Sequence, residues 1–130
     1  MLIRGTLTRK GFKMFYTYRQ NNSGGFFRGP AKYVIIEAHN REMANSLAEL
    51  HDVYFDGCEA GADCSCCGDR WYRTYDKGTK SPEIYGKTIQ EHVLDDTRYV
   101  SNYSIPVAIV HYLDGRQSVY KEEPEDSEDM

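Results

Sequence analysis

No stretch of this 130-residue sequence approaches the roughly 20 consecutive apolar residues that cross a bilayer. The opening residues, Met1-Leu2-Ile3-Arg4-Gly5, also lack the longer apolar core of a secretory signal. A soluble, cytoplasmic chain with no membrane partner is expected. A surplus of base is missing too. The formal net charge is -4, and residues 122–130 hold six acids and no base, so the remainder carries +2. A mildly basic body suits phosphate-bearing small molecules and falls short of the footprint that duplex nucleic acid requires. There is no internal repeat, and a chain of this length fills one modest core, so a single domain is expected over residues 14–121. Residues 1–13 read as a basic extension or a first strand, and residues 122–130 as a disordered acidic tail. Cysteine is absent everywhere except between Cys58 and Cys67, where all four cysteines fall.

Around that segment the pattern is α+β. Residues 14–20 (MFYTYRQ) are aromatic and β-branched, a strand with Met14, Tyr16, Tyr18 and Gln20 on one face and Phe15, Thr17 and Arg19 on the other. Residues 32–38 are almost continuously apolar, as in a central strand buried on both faces. Asn40 is an N-cap residue, and Met43, Ala44, Leu47, Ala48 and Leu50 form a stripe at helical spacing, which predicts a helix over residues 41–51. Residues 53–55 and 71–75 read as short strands, and residues 81–104 as largely irregular. Residues 105–113 and 116–120 flank Asp114-Gly115, the signal of a hairpin closed by a type I′ turn. The sum is an antiparallel sheet of about five or six strands, one main helix on one face and a cysteine-rich loop. The other face of the sheet shows tyrosines unless loops cover it.

In a reducing compartment four clustered thiols are zinc ligands or reduced thiols more readily than two disulfides. Cys58, Cys64, Cys66 and Cys67 offer four sulfurs to one tetrahedral zinc, but their spacing is not the paired Cys-x2-Cys of a zinc ribbon. Adjacent Cys66 and Cys67 reach one ion only if the backbone turns sharply, which Gly68 would assist. Structural zinc, packed thiols and a disulfide all stay open. Four sulfurs would close a catalytic site, and no histidine lies in the segment to activate a nucleophile. Binding is therefore expected in preference to catalysis.

A nucleotide-like ligand needs an aromatic face, a guanidinium for phosphate and a glycine turn whose N–H groups approach an anion. Tyr16, Tyr18, Trp71 and Tyr72 supply the first, Arg19 and Arg70 the second, and Ser23-Gly24-Gly25 the third. Asn21, Asn22 and Asp69 would bond ribose or the base edge. Taken singly, each has a plainer explanation: the tyrosines as sheet packing, Trp71 as core, Asn21 to Gly25 as a hairpin loop. Their conjunction in a small chain is what argues for a site.

The segments MFYTYRQNNSGG, KYVIIEAHNREMANSLAELHDVYFDGC and DCSCCGDRWY resemble a family of small proteins of tailed phages and their hosts, across roughly residues 14–120. That family has no settled activity, so the resemblance implies a setting. Small phage accessory proteins with an aromatic pocket resemble counter-defence sponges that sequester nucleotide immune signals, such as cyclic dinucleotides and ADP-ribose derivatives. Under that resemblance the chain holds a nucleotide-derived molecule in the host cytoplasm without catalysis, and a homodimer would fit. The alternatives are a zinc-stabilised module that blocks a host protein, and a small hydrolase or thiol enzyme.

Overall fold

The structure, a computed structural model, describes residues 12–21, 29–63, 65, 68–91 and 105–121. Strand β1 (Met14–Arg19) pairs antiparallel with β2 (Tyr33–Ala38), and β2 pairs parallel with β3 (Ala108–His111). Strand β3 then pairs antiparallel with β4 (Gln117–Tyr120), so among the described residues the sheet is four-stranded and mixed, in the order β1-β2-β3-β4. This corrects the expected antiparallel sheet of five or six strands. A parallel neighbour needs a long crossover, and the chain between β2 and β3 supplies one that coats both faces of the sheet.

On the first face lies helix α1 (Arg41–Leu50), begun where Asn40 accepts a hydrogen bond from the Met43 N–H at 2.8 Å. It buries Ala44 and Ala48 against Tyr16, Tyr18, Val34, Ile36 and Ala38 of β1 and β2. Val53 and Phe55, expected as strand, instead complete this core at 2% and 8% exposure. Asp52 takes a positive φ of 74° after the helix and turns the chain inward, so the apolar residues that follow plug the core without joining the sheet. Trp71 closes the same cluster.

On the second face, Phe15, Tyr33, Ile35, Ala108 and Val110 are covered by Ile84 and Ile89, both essentially buried. Each such isoleucine contributes about 1.5–3 kcal/mol of burial. Ile84 and Ile89 of the segment read as irregular thus complete the second core, while its residues 92–104 lie outside the described residues. Two local devices order residues 84–91. Tyr85 and Gly86, with φ of 55° and 81°, form a two-residue turn in which Ile84 and Lys87 exchange both backbone hydrogen bonds, at 2.8 and 3.0 Å. Thr88 and Glu91 bond reciprocally to each other's backbone N–H, a capping box that starts a helical turn at Ile89.

The closing hairpin is present, but its loop differs from the expected type I′ turn. Only Gly115 has a positive φ, at 98°, and its N–H bonds the Tyr112 carbonyl at 2.9 Å while Tyr112 N–H bonds Arg116. This is the three-residue loop with glycine in the left-handed position. Asp114 stays out of that region, and its carboxylate holds the Arg116 backbone and guanidinium instead. The possible first strand over residues 2–8 and the acidic tail over residues 122–130 lie outside the described residues, and no helix among those described is long and apolar enough to cross a membrane.

Candidate ligand-binding cleft

Residues 71–75 were expected to alternate as a strand. They form no strand, and Trp71 and Thr74 are the buried pair, a spacing no flat strand produces. The cause is Asn45 on α1. Its side-chain oxygen accepts from Thr74 N–H at 2.9 Å and from the Tyr18 hydroxyl at 2.7 Å, and its amide donates to the Thr74 carbonyl at 3.2 Å. Arg41 adds a bond to the Tyr75 carbonyl at 2.6 Å. The segment is thus pulled towards the helix and away from β1.

At its two ends it returns to β1. Phe15 and Thr79 exchange both backbone hydrogen bonds, at 2.7 and 2.8 Å, and Asn21 N–H reaches the Arg70 carbonyl at 2.8 Å. Between these clasps the bowed segment and β1 enclose an open cleft of about 650 Å³, a size typical of small-molecule sites. Thr17 and Arg19 form one wall, Tyr72 and Tyr75 the other, and Glu83 and Tyr85 lie across the sheet face. Three tyrosine rings around it are solvent-facing: Tyr72 at 56%, Tyr75 at 73% and Tyr85 at 66% exposure. Gly78 is required at the lower clasp, since a Cβ there would lie 2.9 Å from the Met14 Cβ and 3.0 Å from the Tyr16 ring.

The charges around the cleft are not equivalent. Arg73 is held by a bidentate pair to Asp56, at 2.9 and 3.2 Å, with its guanidinium over Phe55. Those hydrogen bonds hold the Asp56 carboxyl below its ordinary range. Arg19, by contrast, lies 4.9 Å over the Tyr85 ring and makes no ion pair with any described residue. Tyr85 is itself set edge-on against Tyr33. A bulky residue with φ of 55° is sterically costly, and the sheet core beneath holds it there.

The residues singled out from sequence separate into three groups. Arg19 and Tyr72 line the cleft, and the buried Tyr18 borders it. Tyr16, Tyr18 and Trp71 do not offer stacking faces: they are 4%, 2% and 1% exposed, and burial pushes both tyrosine hydroxyls above their usual range. Their apolar rings contribute more to the core under α1 than they could at a wet surface. Asn21, Asp69 and Arg70 do come together, as a brace. The Asn21 amide donates to the Asp69 carbonyl, Asp69 accepts from Cys58 N–H at 2.9 Å, and Arg70 donates to the Gln20 side chain at 2.9 Å. Asn22, Ser23, Gly24 and Gly25 lie outside the described residues.

Of the four expected zinc ligands, Cys64, Cys66 and Cys67 also lie outside them. Cys58 is half-buried on the short helix α2 (Gly57–Ala60), and among the described residues no three metal-ligating groups cluster. The visible order of this loop comes from carboxylates. Asp63 accepts from the Tyr54 hydroxyl at 2.6 Å and from Arg70 N–H at 2.8 Å.

Thr17, Tyr75, Tyr85 and Asn45 were missed. Tyr85-Gly86 between Ile84 and Lys87 was a readable turn signal, whereas nothing local marks Asn45 as other than a helix-surface residue. No curated protein and no solved structure matches the chain. A family model does match, over residues 13–127, a span that takes in β1 to β4, α1 and both walls of the cleft; the chain belongs to the family described as a domain of unknown function, DUF7296.

Proposed function

We propose that this protein binds a nucleotide-derived small molecule in the cleft between β1 and residues 72–79 and holds it without transforming it. One observation carries the reading: three exposed tyrosine rings surround a single cleft beside Arg19, a guanidinium with no ion pair to a described residue. Aromatic rings stack on a base with little regard to its identity, and a guanidinium offers a planar fork to phosphate oxygens. In a tailed-phage setting, which the sequence resembles, the role is sequestration of a host signalling nucleotide.

The test is uptake. Purified protein is incubated with cyclic and linear adenine, guanine and uridine nucleotides and ADP-ribose, washed, and heated to release what it holds, with mass spectrometry as the readout. Recovery of an intact nucleotide is expected. Altered products would make the protein an enzyme, and no uptake of any member would overturn the reading. Tyr72→Ala should lower affinity about tenfold by calorimetry, the size of one lost stacking contact.

A further inference from the structure

On a β-strand the main-chain N–H and C=O of alternate residues point to the same edge. Phe15 turns both groups outward to Thr79, and Asn21 turns its N–H outward to Arg70. The residues of the same parity between them are Thr17 and Arg19. Met14, Tyr16 and Tyr18, opposite Ala38, Ile36 and Val34, spend their groups on β2. Thr17 and Arg19 therefore aim their main-chain groups into the cleft, where the bow of residues 72–76 leaves them no strand to pair with. No described residue bonds to those groups; the one hydrogen bond of this pair is from the Thr17 hydroxyl to the Glu83 carbonyl, at 2.7 Å.

A through-going peptide strand does not fit this edge. Backbone clasps close both ends, and Phe15 to Asn21 spans only roughly 20 Å of extended chain. A compact planar group does fit. The Thr17 carbonyl and the Arg19 N–H lie side by side on the edge, an acceptor next to a donor.

Resting on the nucleotide-binding reading above, we infer that this stretch of β1 reads the base: the Thr17 carbonyl and Arg19 N–H pair with a heterocycle that carries a donor and an acceptor side by side on one edge. In adenine these are the 6-amino group and N1; in uracil they are N3–H and a neighbouring carbonyl. The tyrosines hold the ring plane, and the Arg19 side chain is left for phosphate.

Two arms test this by calorimetry. On the unaltered protein, AMP is compared with its N6,N6-dimethyl form and UMP with its N3-methyl form, since methylation removes the donor and keeps the ring. The parent that binds more tightly should lose at least about tenfold on methylation, the cost of one hydrogen bond with its partner left unmet. In the second arm Arg19→Ala keeps the N–H and Arg19→Pro removes it. Proline is tolerated on an edge strand whose N–H faces away from the sheet, and a circular dichroism melt checks that the variant folds. The proline variant should bind about tenfold more weakly than the alanine variant. Equal affinity for parent and methylated nucleotides, with binding still lost in Tyr72→Ala, would overturn the base-reading edge and leave the nucleotide site standing. Failure of every nucleotide to bind would overturn both.

Discussion

Asn45 decides where the wall of the cleft lies. A primary amide carries an acceptor and a donor in nearly the geometry of a peptide group, so one side chain on α1 satisfies both main-chain groups of Thr74 and the Tyr18 hydroxyl as well. Asn45→Ala leaves these groups without partners in a half-buried site and should cost about 1–2 kcal/mol in urea denaturation. If the amide also sets the bow, nucleotide affinity falls with it; unchanged stability would show that water replaces the amide at no cost. Tyr85 poses the opposite case. Its positive φ is unfavourable for a bulky side chain, and asparagine tolerates that region. Tyr85→Asn should raise stability by about 1 kcal/mol while weakening ligand binding. A variant that gained stability with affinity intact would remove Tyr85 from the site.

At the level of elements, the cysteine segment is held by packing and carboxylates that can be tested directly. Gly57 is buried, and a Cβ placed on it would lie 1.8 Å from an Asp63 carboxylate oxygen and 2.8 Å from the Tyr54 ring. Gly57→Ala should therefore displace Asp63, break its bonds to Tyr54 and Arg70, and lower stability by about 1–3 kcal/mol in thermal or urea melts. A melt unchanged from the parent would mean that the loop adjusts freely. Burial and the Asp63 carboxylate both hold the Tyr54 hydroxyl above its usual range. The loop therefore links the end of α1 to the clasp at Asn21 through Asp63, Arg70 and Gln20, and so anchors one end of the cleft wall.

At the scale of the whole molecule, mild acid acts on a half-buried ring. His111 on β3 stacks on His51 at the end of α1, with ring centroids 3.6 Å apart. Burial first, and then the neighbouring His51, lower its pKa from 6.5 to about 4. The folded state thus binds fewer protons than the unfolded chain between those values. Stability is fully present above about pH 6.5 and falls as the pH drops towards 4. The melting temperature should decline over that window, and His111→Gln should flatten the decline. A slope unchanged by that substitution would assign the acid sensitivity elsewhere.

The elements whose order is local were legible in the sequence. Strand β1, the doubly buried β2, the Asn40-capped helix and the closing hairpin all follow from periodicity and capping, which neighbouring residues fix by themselves. The same local chemistry was present, but unread, in Tyr85-Gly86 and in Thr88 with Glu91. Tertiary structure alone decided the rest. Aromatic residues suit a core and a binding face equally well, so composition could not say that Tyr16, Tyr18 and Trp71 go inside while Tyr72, Tyr75 and Tyr85 stay out. For Tyr72 and Tyr75 that choice was made by an amide on α1 that competes with β1 for residues 72–76, a contact across 29 positions of sequence that no local pattern encodes.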